Sequence, residues 1–297
     1  MLLITVAVLL AARPAAAQYD AELRAFIDSI HQTFEWRTGQ VALGPGLAVL
    51  DVPPGFKYLD PEQSAFVLSG LWGNPPDSST LGMLFPQGLN PLDSSSWAFN
   101  IQYSPLGYVK DSDADEIDYA QLLADMQADA NASNAAREAE GYERVELIGW
   151  ASEPYYDAQA HVLHWAKDIR FGSSEAHTLN YNIRILGRKG VLVINAIADM
   201  GQLAEVKGHV PAIQAAVQFN EGYRYDDFDP KLDEVAAVTI GGLVAGKVLA
   251  KAGFFALLAK FWKLIAAGAV VAAGAIYRLI RRKPAAPPEA GSTPPEA

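Results

Sequence analysis

The 297-residue chain is 51% hydrophobic, carries a formal charge of −11 and contains no cysteine. Such a composition can bury a sizeable core, and it excludes thiol catalysis, iron–sulfur clusters and cysteine-bound zinc. The charge is unevenly spread. Residues 18–230 hold 13 basic and 30 acidic side chains, a net of −17, whereas residues 231–297 hold 9 and 4, a net of +5. An acidic domain of this kind is a poor partner for nucleic acid or an anionic membrane surface, which cationic patches bind.

In chain order, Leu2–Ala12 is an apolar run of signal-peptide length, and Ala15 and Ala17 supply the small residues of an A-x-A cleavage site. This predicts a signal peptide over 1–17, although its first residues lack Lys and Arg. Residues 18–230 then read as one periplasmic α+β domain. A helix is predicted over Ala21–Trp36, then short strands at Leu47–Asp51 and Phe56–Leu59. Asp60, Pro61 and Gln63 form a helix start resembling a capping box. Leu81–Phe85 and Trp97–Tyr103 read as strands, the second turning through SPLG into Tyr108–Lys110. A long helix capped by Asp113 or Asp115 follows, with Tyr119, Leu122, Leu123, Met126 and Ala130 at helical spacing and an end by Gly141. Strands are predicted at Arg144–Trp150, His161–Phe171 and Leu179–Leu186. Val191–Ala198, apolar on both faces, is expected at the centre of the sheet. A helix over Leu203–Phe219 closes the domain.

Hairpins with segregated helices predict an antiparallel sheet flanked by helices, a sandwich-like ectodomain. The element order is similar to that of the photosystem-extrinsic-protein sandwich, a likeness of fold alone.

Residues 231–283 form a membrane-anchor region and 284–297 a Pro-rich disordered tail. Val235–Leu258 is long enough to span but carries Lys247 and Lys251 near its centre, each costing about 2.5–3.5 kcal/mol. Phe261–Ile280 is the better span. Trp262 and Tyr277 suit the interfaces, Lys263 and Arg278 can snorkel from the ends, and Arg281, Arg282 and Lys283 obey the positive-inside rule. A two-span hairpin is the alternative.

The densest polar cluster holds Asp111, Asp113 and Asp115. As a Ca²⁺ loop it fails, because Glu116 stands where such a loop needs Gly and Leu122 where it needs a bidentate Glu. Acid-rich helix capping is the competing reading. His161 and His164 would point to opposite faces of a strand. No GxSxG, HExxH or phosphate-cradling loop occurs, so no catalytic residue and no cofactor is assigned. Two aromatic loops are candidate partner surfaces: Trp72, Asn74, Pro75 and Pro76, and Trp150, Pro154, Tyr155 and Tyr156.

The ordered strings GFKYLD (55–60), LWGNPP (71–76), TLGMLFP (80–86), GYVKDSDADEIDY (107–119), LLADMQ (122–127), GW (149–150), HWAKDIRF (164–171), LNYNIRILGRKGVLVINAIADMGQL (179–203) and YDDFDP (225–230) resemble a bacterial family of membrane-anchored proteins, domain of unknown function 2167. The likeness covers roughly residues 35–280 and implies an envelope protein with a C-terminal anchor. It supplies no catalytic residues. The expectation is therefore an inner-membrane protein with a periplasmic binding or scaffolding module. Its partners are the membrane, with other envelope proteins or self-association through the membrane helix left open, and not nucleic acid. A carboxylate- and histidine-dependent envelope hydrolase and a pore or transport component are the alternatives.

Overall fold

The computed structural model describes residues 24–74 and 76–246. The expected signal peptide, Pro75, the span at 261–280 and the tail lie outside the described residues. Period-2 alternation of apolar side chains builds one large antiparallel sheet. Its order is β3 (Phe56–Leu59), β4 (Thr80–Pro86), β5 (Ala98–Ser104), β9 (Val191–Asp199), β8 (His177–Leu186), β7 (Val162–Phe171) and β6 (Val145–Asp157). A small sheet pairs β1 (Gly39–Leu43), β2 (Ala48–Val52) and β10 (Val217–Phe219). Central β9 is apolar on both faces because both are covered: Leu192, Ile194 and Ala196 enter one core, Val191 and Val193 the other.

One face of the large sheet is closed by the small sheet and by α4 (Leu203–Ala216). Leu179, Tyr181 and Ile183 of β8 meet Val206, Val210 and Ile213 of α4 there, together with Leu43 and Leu50 of the small sheet. The opposite face is covered in two separate patches. Along β6, α3 (Tyr119–Ala139) and the short α5 (Ile240–Ala245) enclose Leu163, Trp165, Met126, Ile240, Leu243 and Val244. At the β4 end, α2 (Pro61–Ala65) runs into a π-helical turn, Phe66–Leu71, whose Val67 and Leu68 pack with Leu59, Met83 and Phe85. A helix over residues 24–31, α1, precedes Phe34 in that patch. Each fully buried large side chain contributes about 1.5–3 kcal/mol, so these cores dominate stability.

Several elements differ from expectation. The strand Gly39–Leu43 had no sequence signal as clear as its partner's. Tyr108–Lys110 makes only an isolated bridge, from Tyr108 to Val235. The closing helix stops at Ala216, because Val217 and Phe219 pair instead with β2. The cap of α3 is Asp118, which accepts from the amides of Ala120 and Gln121 at 3.0 and 2.9 Å, and not Asp113 or Asp115. Those two flank or join a separate 3₁₀ turn, Ala114–Glu116. Strand β6 also runs on to Asp157, through the Pro154–Tyr156 stretch expected to be a loop; three register shifts and its edge position accommodate the proline. Residues 231–246, grouped on sequence with the anchor region, pack onto this domain as far as it is described, with Val238, Ile240, Leu243 and Val244 in its core.

Candidate functional site

Because β8 turns Leu179, Tyr181 and Ile183 toward α4, its other face presents Asn180, Asn182 and Arg184. Strand register completes a polar row across the middle of the sheet: Asn100 of β5, Asn195 of β9, Asn182 of β8 and Trp165 of β7 lie each directly opposite the next. The Thr80 hydroxyl extends the row to β4, donating to Asn100 Oδ1 at 2.7 Å. Arg184 lies along it. Its Nη1 donates to Asn195 Oδ1 at 2.9 Å and Ile183 O at 3.1 Å, its Nη2 to Asn182 Oδ1 at 3.1 Å, and its guanidinium sits 4.8 Å from the Trp165 ring centre. All three acceptors are neutral. Lys167 stands opposite Asn180, two residues beyond Trp165 on the same face. Burial pushes Arg184 down to about 9 and Lys167 down to about 8, the latter helped by repulsion from Arg184. Both remain cations at neutral pH.

Beside this row part of the sheet is uncovered. A groove of about 720 Å³ runs over Ile169, Phe171, Thr178, Asn180 and Ile197, between a wall of Trp72 and Asn74 and a wall of Arg137, Tyr142 and Glu143. A depression of about 380 Å³ adjoins it and adds His177 and Asp199. Both walls are fixed. Trp72 Nε1 donates to Pro91 O at 2.9 Å and its ring packs 5.9 Å from Phe85, while Asn74 Nδ2 donates to Leu68 O at 3.0 Å. Opposite, Arg137 Nε donates to Glu143 O at 3.0 Å. Asn134 joins α3 to β6 by accepting from Val145 N at 2.8 Å and donating to Val145 O at 3.0 Å.

A second constellation gathers three loops. Tyr108 stacks on Phe228 and Tyr225, with ring centres 3.8 and 4.5 Å apart, and Tyr225 stacks on His161 at 4.0 Å. Tyr156 donates to Asp111 Oδ2 at 2.7 Å. His161 Nδ1 lies 3.4 Å from that oxygen, and its Nε2 lies 3.6 Å from Asp226 Oδ1. Burial alone would raise the Asp111 carboxyl, but hydrogen bonding from Tyr156 and the nearby His161 outweigh it and hold it below the usual range. Burial, together with hydrogen bonds and nearby negative charge, pushes the Tyr156 and Tyr225 hydroxyls far up. These tyrosines keep their protons, so the cluster offers donors and a carboxylate that clasp residues 225–228 to the domain.

The sequence-predicted residues divide accordingly. Trp72 and Asn74 line the groove, Pro76 is exposed nearby, and Pro75 lies outside the described residues. The second aromatic group does not form one surface, because strand residues alternate. Trp150 donates to Tyr119 O at 3.2 Å beneath α3, Pro154 is buried, Tyr155 is exposed, and Tyr156 serves Asp111. The three aspartates also diverge: Asp111 takes Tyr156, Asp113 accepts from Ile240 N at 3.1 Å, and Asp115 belongs to the 3₁₀ turn. Each thus serves a separate partner, and no group of three potential metal ligands forms among the described residues. His161 sits before β7 with φ 54°, while His164 lies within β7 opposite Tyr155. Trp262, Lys263, Tyr277, Arg278, Arg281, Arg282 and Lys283 are outside the described residues. Lys167, Asn180, Asn182, Arg184 and Asn195 were missed. For the three on β8 the signal was N-x-N-x-R, the polar half of a strand alternation whose apolar half faces α4.

Fold and site together define an antiparallel α+β domain with a groove beside a polar sheet centre. The chain belongs to the family described as "Protein of unknown function (DUF2167)", whose model matches residues 35–274. Among solved structures it is similar to cyanobacterial PsbP (CyanoP) from Synechocystis sp. PCC 6803, at 10% identity and a TM-score of 0.33, covering 63% of this chain and 92% of that one. It is also similar to LpqN, involved in cell envelope biogenesis of Mycobacterium tuberculosis, at 13% identity and a TM-score of 0.30, covering 65% and 96%. No curated protein matches it.

Proposed function

We propose that this chain is an inner-membrane-anchored envelope protein whose periplasmic domain holds an extended segment of another envelope protein in the groove beside Trp72. The observation that carries this reading is the groove itself, a floor of Ile169, Phe171 and Ile197 with Thr178 and Asn180 left open between two fixed walls. The occupant is basic as well as apolar. Glu143 and Asp199 border the groove and its adjoining depression, outnumbering Arg137, the one cation among the described residues there, and the domain as a whole is strongly acidic. Anchoring rests on the apolar run Phe261–Ile280 and the basic cluster after it.

A photo-crosslinking residue placed at Asn74 tests the reading in intact membranes. It is expected to trap one polypeptide that a probe at Lys207, on α4 over the opposite face, does not trap. Trp72→Ala is expected to reduce the adduct about tenfold or more, as loss of a central aromatic anchor does. Equal labelling from both positions, or none from Asn74, overturns the proposal.

A further inference from the structure

The side-chain hydrogen bonds along β8 run in one direction. A guanidinium only donates, so the Asn182 atom 3.1 Å from Arg184 Nη2 is its carboxamide oxygen. At the other end of that carboxamide, Nδ2 lies 2.8 Å from the main-chain oxygen of Asn180, which only accepts. Asn182 is therefore fixed from both sides, and it is buried away from the water that could support the reverse arrangement. The same Nδ2 donates to Asn180 Oδ1 at 2.9 Å. Asn180 thus turns its oxygen toward Asn182 and its NH2 group away. No described residue accepts from that NH2 group, and Asn180 lines the open groove beside Trp72. Polarity is relayed from Arg184 through Asn182 to a donor on the groove floor.

A donor there selects an acceptor. Thr178 lies two residues before Asn180 on the same face of β8, and its hydroxyl-bearing side chain also lines the groove. Alternate residues of a strand stand about 6.4–6.8 Å apart, which is also the repeat of carbonyls pointing the same way along an extended chain. Glu143 and Asp199 at the borders repel a carboxylate, so the acceptor that suits this floor is neutral. Main-chain carbonyls meet both conditions, of spacing and of charge.

We infer that Asn180 is a specificity-determining residue of the groove, donating with Thr178 to main-chain carbonyls two residues apart in an extended peptide segment. Asn182 and Arg184 are its positioning residues, because they hold its NH2 group outward. The inference rests on the groove reading and adds what the floor recognises: the extended main chain of the occupant, with side-chain selection left to the walls.

The test uses the full chain in intact membranes, with the photo-crosslinking residue at position 74 as the probe and the amount of polypeptide adduct as the readout. Asn180→Asp keeps the shape and the oxygen facing Asn182 but puts an acceptor where the donor stood. It is expected to lower the adduct about tenfold or more, through the lost bond and the repulsion between two acceptors. Simple attraction of a basic occupant would instead raise the adduct, since the variant adds negative charge. Asn180→Thr, which keeps a donor, is expected to hold the adduct within about threefold of wild type. Asn182→Asp faces Asn180 with a second acceptor, draws its NH2 group inward and is expected to lower the adduct about tenfold with residue 180 unchanged. Thermal unfolding of the purified chain in detergent, expected within about 4 °C of wild type for both Asn180 variants, separates a binding defect from misfolding. No adduct in the wild type overturns the groove reading and this inference together. A wild-type adduct that Asn180→Asp leaves undiminished, or that Asn180→Thr loses as fully as Asn180→Asp, overturns this inference alone. An adduct unchanged in Asn182→Asp overturns the positioning role of Asn182 and Arg184.

Discussion

Asp111 accepts from Tyr156 and faces His161, and its pKa lies below the ordinary carboxylate value. A carboxyl whose folded-state pKa is depressed binds protons more readily when unfolded. Its stabilising contribution is therefore complete above the unfolded pKa of about 3.9 and is lost as pH falls through the folded value. Asp111→Asn is expected to lower stability near neutral pH and to leave a shallower loss between about pH 5 and pH 2. Urea unfolding at stepped pH checks this; a variant with the wild-type acid slope would remove Asp111 from the account. The sequence showed this aspartate as one of a crowded acidic run, open to a cation or a helix cap. Its actual partners come from positions 156, 161 and 225, separations that no local pattern encodes. Trp72 and Asn74 were legible for a different reason: an aromatic residue beside Gly and Pro in a loop is conspicuous without knowing what it faces.

At the level of elements, the acidic run before α3 shows how neighbouring carboxylates divide their work. Five acids between 111 and 118 could each meet the positive end of a helix dipole. Only Asp118 has the extended backbone and the reach to accept from two first-turn amides, while Asp113 accepts across to Ile240 at the start of α5. Asp118→Ala is expected to cost about 1 kcal/mol, within a range of about 0.5–2, whereas Asp115→Ala should change stability by less than about 0.5 kcal/mol. Denaturant midpoints for the two variants decide the assignment, and a larger loss at 115 would reverse it. The strands were the readable elements, because a core on one side imprints period-2 alternation on sequence: Phe56–Leu59 falls as expected and β9 is central. Among caps and helix ends, Asp60 before Pro61 was readable and accepts from Gln63 N at 3.0 Å, and α3 ends at Ala139, before Gly141 as expected. The cap of α3 and the end of α4 were not, since several residues satisfy the same local rule and long-range pairing chooses among them. The switch from α4 into β10 at Val217 is one such choice, made by β2.

For the whole molecule, the packing of residues 235–246 bears on the proposed membrane anchor. No helix among the described residues is long and apolar enough to cross a bilayer. The two-span alternative uses Val235–Leu258 as its first crossing, yet Val238, Ile240, Leu243 and Val244 are committed to the core over Trp165 and Leu163. That leaves residues 247–258, which as a helix would reach about 18 Å at 1.5 Å per residue. A bilayer core of about 30 Å needs more, and Lys247 and Lys251 would add to the cost. Within the proposed anchoring, the packing therefore argues against the two-span alternative. It also fixes where a topology reporter can be placed. A fusion after Pro230 would strip α5 from the domain and expose the apolar face of α3, so the informative junctions follow Lys260 and Ala297. With alkaline phosphatase, active only outside the cytoplasm, the fusion at 260 is expected to be active and that at 297 inactive. A green fluorescent reporter should give the reverse pattern. Phosphatase activity at Ala297 would mean that the basic cluster Arg281, Arg282 and Lys283 lies outside, and the single-span anchor would have to be abandoned.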